Sequence, residues 1–228
     1  MKLSKRMNAL KGKVEKGRVY TKQEAVALAL ETSNVKFDAG VELHMRLGID
    51  PKKGDQQVRA TVTLPHGTGN TKRVAAFVDG EHEVEAKNAG ADFVFGEQDI
   101  EAIAQKKQID FDVAIATPAM MPKLAKIAPI LGPKGLMPNP KTDTVGKNVG
   151  KMIADQKGGK IAFKNDTTAN MHVLIGKVSF GPEKIAANLD AILDAIRRHK
   201  PSGSKGVYMK TATLTTSMGP GIAFDTAA

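Results

Sequence analysis

The sequence predicts a mixed α/β chain of two bodies. One is an α+β layer with an antiparallel sheet shared by the two ends of the sequence, and the other is a small parallel α/β unit between them. Three observations carry this prediction. The basic surplus lies only in the outer segments, those segments alternate polar and apolar residues at period two, and the middle alternates continuous apolar runs with helical stretches.

The chain has 228 residues, enough for one large domain or two ordinary ones. Two glycine-bearing junctions divide it, His66-Gly67-Thr68-Gly69 and Lys157-Gly158-Gly159-Lys160. Residues 1–66 hold 13 Lys and Arg against 7 Asp and Glu, and residues 159–228 hold 9 against 5. Residues 67–158 hold 12 of each, so the net charge of +10 lies wholly outside the middle. A basic domain of 1–66 plus 159–228, carrying a neutral insertion of 67–158, has this signature.

The outer segments begin with Thr21-Lys22-Gln23-Glu24, a capping-box pattern that starts a helix through Ala25, Val26 and Leu28–Leu30. Val41, Leu43, Met45, Leu47 and Ile49 then alternate with Glu42, His44, Arg46 and Gly48, which predicts a strand with one wet face. Val58, Ala60, Val62 and Leu64 repeat the pattern after the turn residues Asp50–Asp55. Beyond Gly159, Lys160–Asn165 and Met171–Phe180 read as strands, Pro182 opens a helix with Ile185, Leu189, Ile192, Leu193 and Ile196 on one face, and Val207–Ser217 reads as a last strand. Together the outer segments supply two helices and about five strands. Pattern alone allows that joining without requiring it.

In the middle, Val74–Val78 is a continuous apolar run, as in a strand covered on both faces. Helical stretches near Val84–Ala89 and Ile100–Lys106 alternate with strands at Ala91–Phe95 and Val113–Ala116, and Thr117-Pro118 opens another helix.

Composition removes several functions. With no cysteine there are no disulfides, thiol nucleophiles or cysteine-bound zinc, and the five histidines show no metal-binding spacing. No apolar run approaches the roughly 20 residues of a membrane helix, and residues 1–18 are basic without the apolar centre of a signal peptide. A cytoplasmic protein with a polyanionic partner is the simplest expectation. The acidic groups Asp110/Asp112 and Glu81/Glu83/Glu85 suit solvated faces better than acid–base pairs, so no catalytic residue, cofactor or metal is expected.

Four stretches stand out. Lys164-Asn165-Asp166-Thr167-Thr168, beside Phe163, could meet phosphates and 2′-hydroxyls or could be an ordinary hairpin. Thr215-Thr216-Ser217-Met218-Gly219-Pro220-Gly221 could approach a ligand closely or be a strand end with a loose tail. Leu131–Lys141, with three prolines and two glycines, could be a contact surface or a connector whose Leu136 and Met137 pack inward. Gly67–Lys72 lacks phosphate-loop spacing, and a strand follows it where a helix is needed. Gly67, Gly69, Gly158 and Gly159 read instead as hinges.

Together these segments resemble the family of bacterial large-subunit ribosomal protein one. The resemblance rests on Gly67-Thr68-Gly69-Asn70, Thr117–Met121, Leu131–Lys141, Phe163–Asp166, Ile175-Gly176-Lys177 and Thr216–Gly219, and it covers essentially the whole chain. Ser217 stands where the family often has Thr, which keeps the hydroxyl. The resemblance implies a split domain made from both ends with an inserted Rossmann-like domain. It implies direct binding to 23S rRNA in the 50S subunit, a mobile stalk that takes part in release of exit-site tRNA, and translational repression of its own operon by binding that mRNA. Carried onto this sequence, the implied rRNA contacts are Lys36, Phe37, Lys164, Asn165, Asp166, Thr168, His172, Lys177, Ser179, Thr216, Ser217, Met218 and Gly219.

Two other readings compete. A nucleotide-binding α/β enzyme with an accessory basic domain needs a phosphate loop and a catalytic cluster in 67–158, and the sequence offers neither. A membrane-surface protein needs a basic amphipathic helix, whereas the helix from Pro182 carries Glu183, Asp190 and Asp194 on its polar face. Neither a membrane nor a small-molecule substrate is expected.

Overall fold

The structure is a computed structural model that describes residues 4–106 and 109–226. It is a mixed α/β chain with three sheets among the described residues. The strands in chain order are β1 (Gly40–Leu47), β2 (Arg59–Thr63), β3 (Val74–Phe77), β4 (Phe93–Phe95), β5 (Val113–Ala116), β6 (Lys160–Lys164), β7 (Asn170–Lys177), β8 (Met209–Thr216) and β9 (Ile222–Phe224). The α-helices are α1 (Lys5–Lys11), α2 (Lys22–Glu31), α3 (Glu83–Asn88), α4 (Glu97–Lys106), α5 (Met121–Leu124), α6 (Ala128–Leu131), α7 (Val149–Lys157) and α8 (Gly181–Arg198).

The chain divides into two compact units, Met1–Gly69 with Ala162–Ala228, and Asn70–Ile161. These divisions lie three residues beyond the expected boundaries after His66 and Gly158, and hydrogen bonds supply the reason. The buried Asn188 amide accepts from His66 N at 3.1 Å and donates to Gly67 O at 2.9 Å and Ile175 O at 2.7 Å, which ties His66–Gly67 to the first unit. Lys160 reaches Asp143 at 2.9 Å and Asp155 at 3.3 Å, which ties it to the second.

The first unit is built on an antiparallel sheet of order β7-β1-β8-β9. Val41, Leu43, Met45 and Leu47 are buried while the intervening residues are not, because side chains alternate across a strand and α2 and α8 cover one face. α2 starts with the capping box of Thr21 and Glu24. α8 buries Ile185, Leu189, Ile192, Leu193 and Ile196, each contributing about 1.5–3 kcal/mol against exposure. β2 and β6 form a separate two-stranded sheet.

Two elements depart from the sequence expectation. Residues 5–11 form a short helix capped by Ser4. The segment after Gly221, where a loose tail was one alternative, is strand β9. Ile222 and Phe224 are buried, β9 pairs with β8, and Tyr20 N donates to Ala223 O at 3.0 Å. Apolar alternation over just three residues is enough when an open sheet edge and the Tyr20 backbone both supply partners.

The second unit has a parallel sheet of order β4-β3-β5. All of Val74–Phe77 is buried, and its alternate residues serve opposite cores. Ala75 and Phe77 join Ile100, Leu124, Ile127 and Leu131, whereas Val74 and Ala76 join Ala86, Val149 and Ile153. Leu136 and Met137 of the proline-rich run pack on the first of these clusters, so that run caps a core. The helix expected from Thr117-Pro118 is a 3-10 turn, Pro118–Met120, leading into the short α5.

Candidate nucleic-acid interface

The sheet of the first unit buries one face and presents the other. Glu42, His44 and Arg46 of β1 lie on the presented face, with Asn170 and His172 of β7 and Thr211, Thr213 and Thr215 of β8. Register aligns them in rows. His44 lies between His172 and Thr213, and Arg46 lies between Asn170 and Thr211. The face therefore offers hydroxyl, amide, imidazole and guanidinium groups at fixed spacing.

One end of this sheet gathers most of the candidate residues, because Gly40 of β1 pairs with Lys177 of β7 and the neighbouring Val41 pairs with Thr216 of β8. Ser217 N donates to Gly40 O at 2.9 Å, and Gly40 N donates to Ser217 Oγ at 3.2 Å. The turn closes with Gly219 N on Thr216 O at 2.8 Å. This turn holds Met218 at a φ of 62°, which few residues with a side chain adopt, and leaves it 67% exposed. Arg6 donates to Met218 O and to Asn34 Oδ1, both at 2.8 Å, joining the amino-terminal helix to the turn.

The loop before β1 adds exposed Lys36 and Phe37, the latter 56% exposed. Asp38 accepts from Ser179 Oγ at 2.7 Å and Ser179 N at 3.1 Å. Those two hydrogen bonds, and then the nearby Lys177 charge, hold its carboxyl below the usual range. Ser179 is thus engaged with protein, and Lys177 is half-buried. Thr216 is also turned inward. It is 2% exposed, and its hydroxyl has no hydrogen-bond partner.

Asn165, Asp166 and Thr168 lie at the opposite end of β7. Asn165 Oδ1 accepts from Val58 N at 2.7 Å. Asp166 accepts from Thr168 Oγ1 and Asn170 N, both at 2.7 Å, and from Thr168 N at 2.8 Å. The hydrogen bonds from Thr168 and Asn170 keep its carboxyl below the usual range. These side chains perform hairpin work, while Lys164 stands exposed. The candidate residues therefore form two clusters, separated along β7 by roughly 24 Å at ~3.4 Å per residue. His172 lies between them.

Arg6, Asp38, Glu42 and His44 belong to these surroundings and were not among the sequence candidates. The period-two pattern of β1 carried the signal for Glu42 and His44. The contact of Arg6 with Met218 joins residues 212 apart and leaves no local trace. Among the described residues no three or more His, Cys, Asp or Glu gather as metal ligands, and no helix is long and apolar enough to cross a membrane.

Kinship makes this mixed α/β chain a member of a ribosomal, non-enzyme family. More particularly, the chain belongs to the Ribosomal protein L1p/L10e family, whose model matches residues 29–220. It is 53% identical over 225 residues to the large ribosomal subunit protein uL1 of Thermobifida fusca, an alignment spanning 99% of this chain and 95% of that one. The protein of the same name from Salinispora tropica is also 53% identical over 225 residues, with 99% and 94% spanned. That of Saccharopolyspora erythraea is 56% identical over 212 residues, with 93% and 89% spanned.

Proposed function

We propose that this chain is a structural constituent of the large ribosomal subunit in the cytoplasm and that its first unit binds 23S rRNA directly. The observation that carries the reading is the turn at Thr216–Gly219. It holds an exposed methionine in a left-handed conformation, on a backbone fixed by paired hydrogen bonds to the start of β1, the strand that follows the loop bearing exposed Phe37 and Lys36. An apolar side chain over a rigid, donor-bearing turn suits the ribose and base surfaces of a folded RNA, and lysines add attraction to phosphate.

On this reading Lys36, Phe37, Lys177, Ser217, Met218 and Gly219 form the principal contact, and His172 and Lys164 extend it toward Asn165, Asp166 and Thr168. Ser179 acts through Asp38. The second unit serves as the moving part of a stalk that releases exit-site tRNA, with Gly67, Gly69, Gly158 and Gly159 near the two chain crossings. Of these, Gly67, Gly69 and Gly159 have φ of 63°, 76° and 95°, conformations that permit sharp turns. The same RNA face would recognise a similar fold in the mRNA of its own operon and repress translation.

Binding of the full chain to a 23S rRNA stalk fragment tests the proposal. Charge reversal at Lys36 and Lys164 should weaken binding strongly, while charge reversal at Lys134 and Lys141 in the second unit should leave it unchanged. The opposite pattern would move the RNA site to the second unit and end the reading.

A further inference from the structure

His44 and His172 are direct cross-strand partners. Their Nδ1 atoms are 2.8 Å apart and their ring centroids 5.0 Å. A carboxylate stands behind each ring. Glu42 Oε2 lies 3.6 Å from His44 Nε2, and Asp166 Oδ2 lies 3.9 Å from His172 Nε2. These distances are too long for hydrogen bonds, so the carboxylates act on the rings as nearby negative charges. An imidazole protonated on Nε2 carries a lone pair on Nδ1. The 2.8 Å separation is that of a hydrogen bond in which one Nδ1–H donates to the other Nδ1, and moving that proton to Nε2 leaves two converging lone pairs that a cation can bridge.

An additional proton on His44 is disfavoured. Burial first, and the neighbouring His172 second, lower the pKa of His44, with Glu42 opposing them. Arg46 on the same strand face adds positive charge, while the flanking Thr213 is neutral.

We propose that His44 and His172 form a two-imidazole site for a divalent transition-metal ion, held by both Nδ1 atoms, with Glu42 and Asp166 as outer carboxylates. Metal–imidazole bonds of ~2.0–2.1 Å place two ligand nitrogens roughly 3 Å apart, so the rings need to part by only a few tenths of an ångström. A carboxylate behind each imidazole is the arrangement that fixes ring tautomer and orientation in metal sites. Imidazole nitrogen selects zinc, nickel and copper over magnesium and calcium. The side chains of His44 and His172 are 30% and 57% exposed, so the remaining coordination positions open to water. The site is a property of the free protein and does not depend on the RNA reading.

The test is calorimetric titration of the untagged, chelator-treated full chain with Ni²⁺ and with Zn²⁺ near pH 7.5 in a non-coordinating buffer. One saturable equivalent is expected, with no competition from Mg²⁺. His44→Asn and His172→Asn should each abolish that equivalent, and Glu42→Gln should weaken it by about tenfold. Binding should fall as pH is lowered through the imidazole range, because both rings must be neutral. The ion should raise the Tm of the wild type and leave that of His44→Asn unmoved. Absence of saturable binding in the wild type, or binding by both asparagine variants equal to wild type, overturns the site.

Discussion

The Thr216 hydroxyl occupies space that a β-carbon on Gly219 would need. The turn that displays Met218 is therefore compact because position 219 lacks a side chain. Gly219→Ala should force Thr216 or the turn to move, costing about 1–3 kcal/mol by overpacking. Urea unfolding should register that cost, and affinity for the rRNA fragment should fall with it. Wild-type affinity in this variant would detach the turn from RNA binding.

Lysine and methionine should fail in different ways. Lys164→Ala should lower the slope of log affinity against log salt by roughly 0.7–0.9, the share of one phosphate contact. Met218→Ala should reduce affinity with that slope unchanged, because it removes contact area without charge. A salt series on the two variants separates these outcomes, and equal slopes for Lys164→Ala and wild type would remove Lys164 from the contact.

Asn188 serves three backbone groups from inside the first unit. Asn188→Leu leaves His66 N, Gly67 O and Ile175 O without this partner, and each buried orphan costs about 1–3 kcal/mol. A loss of unfolding free energy of at least that size is expected in urea, with His66 and Gly67 losing hydrogen-exchange protection first. Unchanged protection at those two residues would show that Asn188 does not fasten them.

Protonation gives two further tests. The Asp38 carboxyl, held low by Ser179 and then by Lys177, should titrate below ~3.9. A depressed carboxyl stabilises the fold above its unfolded pKa and loses that contribution as pH falls through the folded value, so the effect should fade as pH drops through the ordinary carboxylate range and be gone only below the folded value. Ser179→Ala should return the Asp38 titration, followed by carboxyl NMR, toward the ordinary range.

The Tyr208 phenol behaves oppositely. Burial pushes its pKa up to about 12, and its hydroxyl has no partner. Its neutral form is favoured in the fold, so stability should be intact below pH ~10 and decline as pH rises toward the folded value. Tyr208→Phe should be neutral or stabilising at pH 7, since it removes an unpaired buried hydroxyl, and thermal melts at neutral and alkaline pH read both effects.

The sequence made β1, α2, β3 and α8 legible because each has a long or strongly periodic signature. The capping box at Thr21 and Glu24 marked a helix start that the structure has. The short elements were harder. β9 contributes only three residues, and α1 buries only Leu10 among the described residues, so neither shows a period worth reading. At the candidate site, Met218 and Lys36 are as exposed as a contact requires, but the inward turn of Thr216 and the engagement of Asp166 by Thr168 and Asn170 could not be read locally. Those depend on which strands become neighbours, and residue types alone do not state that.

The sheet order β7-β1-β8-β9 has a consequence for synthesis. β1 acquires both its neighbours only after residue 216 has been translated, whereas residues 70–161 already hold every strand of their own sheet. A nascent chain can therefore complete the second unit while β1 still waits for its pairing. A premature stop before Thr216 yields a product lacking the Met218 turn, so translation must run past Gly219 before that surface exists.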